Sequence, residues 1–574
     1  MPEKIMLNHV GFCPHAAKKV IYQGEEKIFT VNRMQDNVFT PVFEGKFDEG
    51  NTDLLDAKRG DFTTLIEQGI YRISIGSQNS RCFIVHANVY DTVQRMLSYF
   101  FTWQRCCDDL GWNGRCHTGD SLTLKNGSRR SLTGGHHQSG DLRKWAWGTS
   151  IGLIGYTEYA LETSPVWDKG IIEEELRHGL AYYLSLITDE GFLIDCTWIP
   201  EGYDETKMIG KGVQDYRLFW NNRIYFESPA PEPAHWNAIR FLALASRYFK
   251  DRDKAFAGTC LAGARKIWDY LETHSLRDYE LPIYPPLGHG GMHRWYLGFY
   301  PDSALHYGSR AMAAAELFRA TADEYYHLVA VESLRRVGEL RLSGTGEGSA
   351  GCFREGPGSK RLANEYVYFY STTIPQSFVS AMELWPGDKD AFFWRENALA
   401  IGDQLLISGK QNPFQRVSGT WYTSGHEVYA ATGIGGHSSP QGKFQTGSFP
   451  ESGESVMADY FNFCYNLDLI ANARFLIKAA SCTGKPEYRA FAQDQIDWVM
   501  GVNPWDASNI EGVGYNQPHR GIFGEFFPPV PQIPGAVYTG LTEQSFNPSS
   551  YGLDNEYDMP MVGWLMPLLT EING

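Results

Sequence analysis

The chain has 574 residues, of which 43% are hydrophobic and 21% charged; that can bury a large core and excludes a disordered scaffold. Its 67 acidic residues exceed the 51 basic ones, giving a formal net charge of −16, which argues against a nucleic-acid or anionic-membrane partner. Aromatic residues make up 14%, with 16 Trp, 32 Tyr and 33 Phe, a surplus that suits a cleft stacking flat rings, sugars among them.

The N-terminus, Met1-Pro2-Glu3-Lys4-Ile5, is not a basic segment followed by an apolar run, so no secretory leader is read there and a cytoplasmic location is expected. No stretch approaches 18 uninterrupted apolar residues, so no transmembrane helix is expected. Residues 1–88 read as a β-sandwich. Lys19–Tyr22, Ile28–Val31, Tyr71–Ile75 and Cys82–Val85 are short runs rich in β-branched or aromatic residues, bounded by turn formers. From Val89 onward the apolar period becomes helical. The spacing predicts helices over 89–107, 142–164, 171–188, 233–250, 252–273, 303–321, 322–342, 372–385, 388–408, 455–481, 486–500 and 556–571. About twelve helices in neighbouring pairs would build a double ring of six hairpins over residues 89–574. A bundle or α-solenoid is the alternative, but no fixed-length repeat supports a regular solenoid.

Between the helices, residues 189–232, 274–300, 343–371, 409–454 and 501–555 are rich in Gly, Pro, Ser and aromatics. Segments of that length usually carry binding function. They hold Trp198, Tyr225, Trp295, Tyr296, Trp421 and Tyr422, which either line a cleft or pin the loops. Among ten cysteines, Cys13, Cys82, Cys260 and Cys464 lie in apolar stretches and are expected to be buried free thiols. Cys106, Cys107, Cys116 and His117 cluster within twelve residues.

Two segments hold carboxylates at predicted helix starts: Gly134-Gly135-His136-His137-Gln138-Ser139-Gly140-Asp141 and Asp554-Asn555-Glu556-Tyr557. A helix-capping role would explain either one alone. With Leu7-Asn8-His9-Val10-Gly11-Phe12, Gly60-Asp61-Phe62, Gly69-Ile70-Tyr71, Gly501-Val502-Asn503-Pro504 and Pro518-His519-Arg520, these segments resemble, in order and from end to end, the motifs of glycoside hydrolase family 9. The resemblance implies an immunoglobulin-like β-sandwich followed by an all-α (α/α)6 barrel. It implies hydrolysis of a β-glycosidic bond with inversion, in which Asp141 is the base, Glu556 is the acid with a raised pKa, and His519 and Arg520 bind the sugar.

This sequence departs from the family pattern at three places. Gln138 stands where the family has a second Asp, His136 where it has Trp, and Asp554 replaces a small or neutral residue. The subgroup that looks closest is the exo-β-D-glucosaminidases, implying release of glucosamine from the non-reducing end of chitosan oligomers. Asp554 would answer the substrate's ammonium, and a single opposite charge at 4 Å is worth about 4 kcal/mol at an effective dielectric near 20. The alternative is a cellodextrinase, β-glucosidase or endoglucanase of the same family, and the remaining one a sugar-binding protein that has lost catalysis. Cys106, Cys116, His117 and His137 resemble the family's structural zinc site; reduced thiols beside surface histidines are the alternative. Family members often bind calcium too, and no residues here locate such a site. The expected partner is an oligosaccharide, and oligomeric state is left open.

Overall fold

The computed structural model describes residues 4–48, 57–112, 114–124, 126–132, 134–139, 144, 146–163, 169–194, 224–226, 229–230, 232–274, 302–342, 350–359, 362–365, 367–410, 412–417, 421–424, 427–430, 465–518, 532–541, 546 and 557–573. The described residues up to Val85 carry nine strands: β1 (Lys4–Met6), β2 (Gly11–Phe12), β3 (Lys19–Gln23), β4 (Ile28–Gln35), β5 (Val38–Lys46), β6 (Lys58–Asp61), β7 (Gly69–Ile75), β8 (Gln78–Asn79) and β9 (Phe83–Val85). They form two sheets, β1-β3-β6 and β2-β9-β7-β4-β5, with β8 pairing β7. The run Tyr71–Ile75 is a strand that alternates: Tyr71, Ile73 and Ile75 are buried, and they meet Phe12, Phe29, Phe62 and Phe83 in the core of this region. The same alternation corrects one expectation. Phe83 and Val85 point inward, so Cys82 and Ile84 face outward, and Cys82 is exposed rather than buried. Cys13 and Cys260 are buried as expected, and Cys464 lies outside the described residues.

Twelve α-helices follow among the described residues: α1 (Asp91–Trp103), α2 (Ala146–Glu162), α3 (Lys169–Leu186), α4 (Glu232–Phe249), α5 (Lys254–Thr273), α6 (Ala304–Thr321), α7 (Glu324–Glu339), α8 (Val367–Leu384), α9 (Ala391–Lys410), α10 (Tyr465–Thr483), α11 (Glu487–Val499) and α12 (Met559–Glu571). The even-numbered helices pack in a closed ring, α2-α4-α6-α8-α10-α12 and back to α2, and each has an odd-numbered helix against it. This is the (α/α)6 barrel. Inner helices are apolar nearly all round, as a stave covered on both sides must be: α2 buries Ala146–Thr157 without a break. Helix α8 starts five residues before the sequence suggests and runs through Pro375. The proline cannot donate to the carbonyl one turn back. That carbonyl, on Ser371, instead accepts from Gln376 Nε2 at 3.2 Å.

Contacts at the early ends of the inner helices show that they run parallel. Glu232 of α4 meets His306 of α6, and Ser371 of α8 meets Asp468 of α10. The β-region docks on the barrel's outer side through an apolar patch, where Met6 and Ile21 meet Phe414, Leu469, Trp498 and Val502. Polar pairs flank it: Lys19 Nζ lies 2.7 Å from Asp494, and Asn8 Nδ2 donates to Asp497 Oδ1 at 2.8 Å. Asn8 Oδ1 accepts from the backbone of Val10 and Gly11. His9 stacks on Tyr515 with ring centroids 3.5 Å apart. Among the described residues no helix is long and apolar enough to cross a membrane.

Candidate active site and metal centre

The early ends of the inner helices form one mouth of the barrel, and two of them receive the motif segments. Residues 134–139 lead toward α2, and Tyr557-Asp558 opens α12. Gly134 and Gly135 have φ of 82° and 81°, the left-handed region where a side chain is strained. A Cβ on Gly135 would also stand 2.7 Å from the Tyr182 ring. Beyond this turn, Ser139 and Asp558 form an antiparallel bridge. Met559 N donates to Gln138 O at 2.9 Å, and Gln138 Nε2 donates to Asp558 Oδ2 at 3.1 Å. Asp558 occupies the N-cap position of α12 without making the side-chain cap bond.

Gln138 is thus buried, 6% exposed, between the two segments. Its amide has room only because residue 148 is glycine, where a Cβ would stand 1.8 Å from Gln138 Oε1. The other predicted substrate and catalytic positions, Asp141, His519, Arg520, Asp554 and Glu556, lie outside the described residues, as do Trp198, Trp295 and Tyr296. Tyr225 falls in a strand, Ile224–Phe226, and Trp421 and Tyr422 in another, Trp421–Ser424. At the same mouth the sequence reading missed a pair. Glu232 accepts from Trp236 Nε1 at 2.7 Å and pairs with His306 Nδ1. The only sequence signal was Glu232-Pro233 at a helix start.

The cysteine–histidine group is assembled by a strand-like contact behind that mouth. Cys106 N donates to Gly135 O at 2.9 Å and His137 N to Gln104 O at 2.8 Å, with Arg105 and His136 bridged between them. Cys116 and His117 come from the loop after α1, and His117 takes a φ of 54°. The ligand atoms of Cys106, Cys116, His117 and His137 all lie within 4.8 Å of one another, and all four residues are buried. Cys116 Sγ is 3.2 Å from His137 Nε2 and 3.6 Å from Cys106 Sγ. A tetrahedral zinc with Zn–S near 2.3 Å separates its sulfurs by about 3.8 Å, so the spacing fits. Hydrogen bonding with Cys106, joined by the charge of His137, holds the Cys116 thiol far below its ordinary value, and burial pushes His117 down to about 3. Burial drives the Cys106 thiol the other way.

His136, where the resemblance leads one to expect Trp, has its own buried partner. Its Nε2 lies 2.9 Å from Glu175 Oε2, and neither side chain is exposed. Glu175 Oε1 accepts from Arg105 Nε at 2.8 Å and Thr102 Oγ1 at 2.6 Å. Burial pushes the Glu175 carboxyl up, but His136 and Arg105 together bring it below its ordinary value. The network joins α1, α3 and the loop between Cys106 and His137.

Comparison with known proteins gives this arrangement a context. A family model described as glycosyl hydrolase family 9 matches residues 90–522. A cellodextrinase of Butyrivibrio fibrisolvens is 22% identical over 548 residues, covering 90% of this chain and 86% of that one. A crystal structure of a single-mutant thermostable endoglucanase from Alicyclobacillus acidocaldarius superposes with a TM-score of 0.68 at 16% identity, covering 100% of this chain and 99% of that one. A structure of AaCel9A in complex with cellobiose-like isofagomine gives 0.64 at 18% identity, covering 99% of both.

Proposed function

The chain belongs to glycosyl hydrolase family 9, and from that premise we propose that it hydrolyses β-1,4-linked gluco-oligosaccharides of the cellodextrin type, inverting the anomeric carbon. Asp141 is the proposed base and Glu556 the proposed acid. The observation that supports this pairing is the antiparallel bridge between Ser139 and Asp558. The bridge joins the two segments that carry these residues, two positions before Asp141 and two after Glu556 in the sequence. Two carboxylates converging from distant parts of the chain are what inversion needs, with roughly 6.5–9.5 Å between them for the water.

In this reading Glu556 gives its proton to the leaving oxygen as Asp141 takes one from water, and His519 and Arg520 hold the sugar. Gln138 acts by holding the two segments together through Asp558. Residues 1–88 form one domain and 89–574 the other. The Cys106, Cys116, His117 and His137 group holds zinc. Four protein ligands close the coordination shell, so such an ion would supply a cross-link and no reactive water.

A second reading, release of glucosamine from chitosan oligomers, rests on Gln138 and Asp554. The named relatives, a cellodextrinase and an endoglucanase, favour the first. The test is a side-by-side assay of cellobiose, cellotriose and chitosan disaccharide with the parent protein, Asp141→Ala and Glu556→Ala. The expected result is cleavage of the glucose oligomers with the inverted anomer released first, and loss of that activity in both variants with unchanged circular dichroism. Cleavage of the chitosan disaccharide alone would replace the first reading by the second. Activity surviving in either variant would overturn the residue assignment.

A further inference from the structure

The opposite end of the barrel contains a cavity that the glycosidase reading does not use. It is lined by residues from the later parts of the inner helices, among them Glu158, Arg240, Glu316, Arg319, Arg474 and Lys478. The space open to the centres of water-sized spheres is about 20 Å³, room for one or two waters or one small ion. Four of these side chains are cationic and two are carboxylates, and two further carboxylates, Glu571 and Glu383, pair with them from outside the lining.

The carboxylates are committed to particular nitrogens. Arg474, 1% exposed at its side chain, spends its donors on Glu158 at 2.7 Å and on Glu571 at 2.6 and 3.1 Å. Arg240 Nη2 donates to Glu158 Oε1 at 2.9 Å. Arg319 pairs with Glu316 and donates to Ser380 Oγ at 3.0 Å. Two donors remain. Arg240 Nε is buried and has no hydrogen-bond partner among the described residues. Lys478 Nζ has its nearest carboxylates, Glu571 and Glu383, at 3.8 and 4.0 Å, beyond hydrogen-bond reach. A buried donor left without an acceptor is costly, and more so when charged; that holds for Arg240 Nε, whereas the Lys478 side chain is 24% exposed.

We propose that this cavity binds a small monovalent inorganic anion of chloride's size, which accepts from Arg240 Nε and Lys478 Nζ and ties α4 to α10. The ion has no part in glycoside cleavage, and the inference stands independently of the substrate. The test uses the full chain and two readouts. The first is the thermal midpoint in sodium chloride against sodium gluconate at equal ionic strength; the expected result is a rise of about 2 °C or more in chloride, absent in Lys478→Met. The second is a crystal soaked in sodium bromide, where an anomalous peak is expected between Arg240 and Lys478. Equal midpoints in the two salts, or a cavity holding water alone, would overturn the proposal. A bromide peak without chloride-specific stabilisation would mark an adventitious ion only and overturn it too.

Discussion

Replacing Glu175 by leucine tests whether the buried network behind the mouth is held by charge. Leucine nearly matches the volume, so the change leaves Arg105, 3% exposed at its side chain, without its fully buried counter-charge, and strands His136 Nε2. The other carboxylates near Arg105 Nη1, Asp108 and Glu174, stand at 3.1 Å but are 27% and 65% exposed, where an ion pair contributes little. Breaking a buried pair from one side costs about 3–5 kcal/mol, and that is the expected loss. Glu175→Gln keeps an acceptor for Arg105 and removes only the charge, so its cost should fall near 1.5–3 kcal/mol, the range for a hydrogen bond to a charged group. Equilibrium urea unfolding followed by tryptophan fluorescence measures both. Arg105 and His136 each adjoin a member of the Cys106–His137 group, so retention of the zinc proposed there should weaken about 10–100-fold against a chelator in the leucine variant. Stability within about 0.5 kcal/mol of the parent in Glu175→Leu, below the range of any buried-pair loss, would refute the reasoning. Equal costs for Gln and Leu would refute the role given to charge.

Two further outcomes are expected. Burial, with Asp494 nearby, raises the Asp497 carboxyl to about 7 against the donors Asn8 and Gln493. The folded chain therefore keeps a proton that the unfolded chain releases, so this stability is full below about pH 4 and is lost as pH rises toward 7, by about 4 kcal/mol. Asp497→Asn, which keeps the acceptor, should flatten the fall in thermal midpoint between pH 5 and pH 8; an unchanged profile would count against the shift. Gly563→Ala should destabilise by about 2 kcal/mol or more, because its Cβ would stand 2.0 Å from Gly152 O across the α2–α12 contact. Gly258→Ala, with nothing within 4 Å of the added Cβ, is the control and should gain up to about 1 kcal/mol. Equal midpoints for the two glycine variants would show that the helices can part without cost.

The barrel was legible because helix-length apolar segments follow one another in neighbouring pairs, amphipathic in outer helices such as α1 and apolar nearly all round in inner ones such as α2. The closing order of those rings was not, since it depends on which apolar faces meet across hundreds of residues. Strand β5 escaped notice because it is mostly exposed and has little buried alternation to show. Spacing drew attention to Cys106, Cys116 and His117, and the family resemblance added His137, which the fold brings to them through its backbone bond to Gln104. The motif carried His136 as a departure, yet its partner Glu175 sits 39 residues away on α3, where no local pattern marks it. The cavity cations were likewise invisible, because a charged residue in a helix reads as a solvated face until the ring buries it.

The contact between α2 and α12 also sets a timetable. Gly152 and Gly155 on one helix and Gly563 on the other let their backbones touch, so α12 is the stave that closes the ring, yet it is made last. About 400 residues separate it from α2, or roughly 20–80 s of synthesis at 5–20 residues per second. Through that interval the flanks of α2 and α10 that α12 will cover remain open and apolar. The strands that dock on α11 wait longer still, since Lys19 and Asp494 are 475 residues apart. A chain stopped short of residue 559 would carry an unclosed barrel, with a seam available to chaperones or to other unfinished copies of itself.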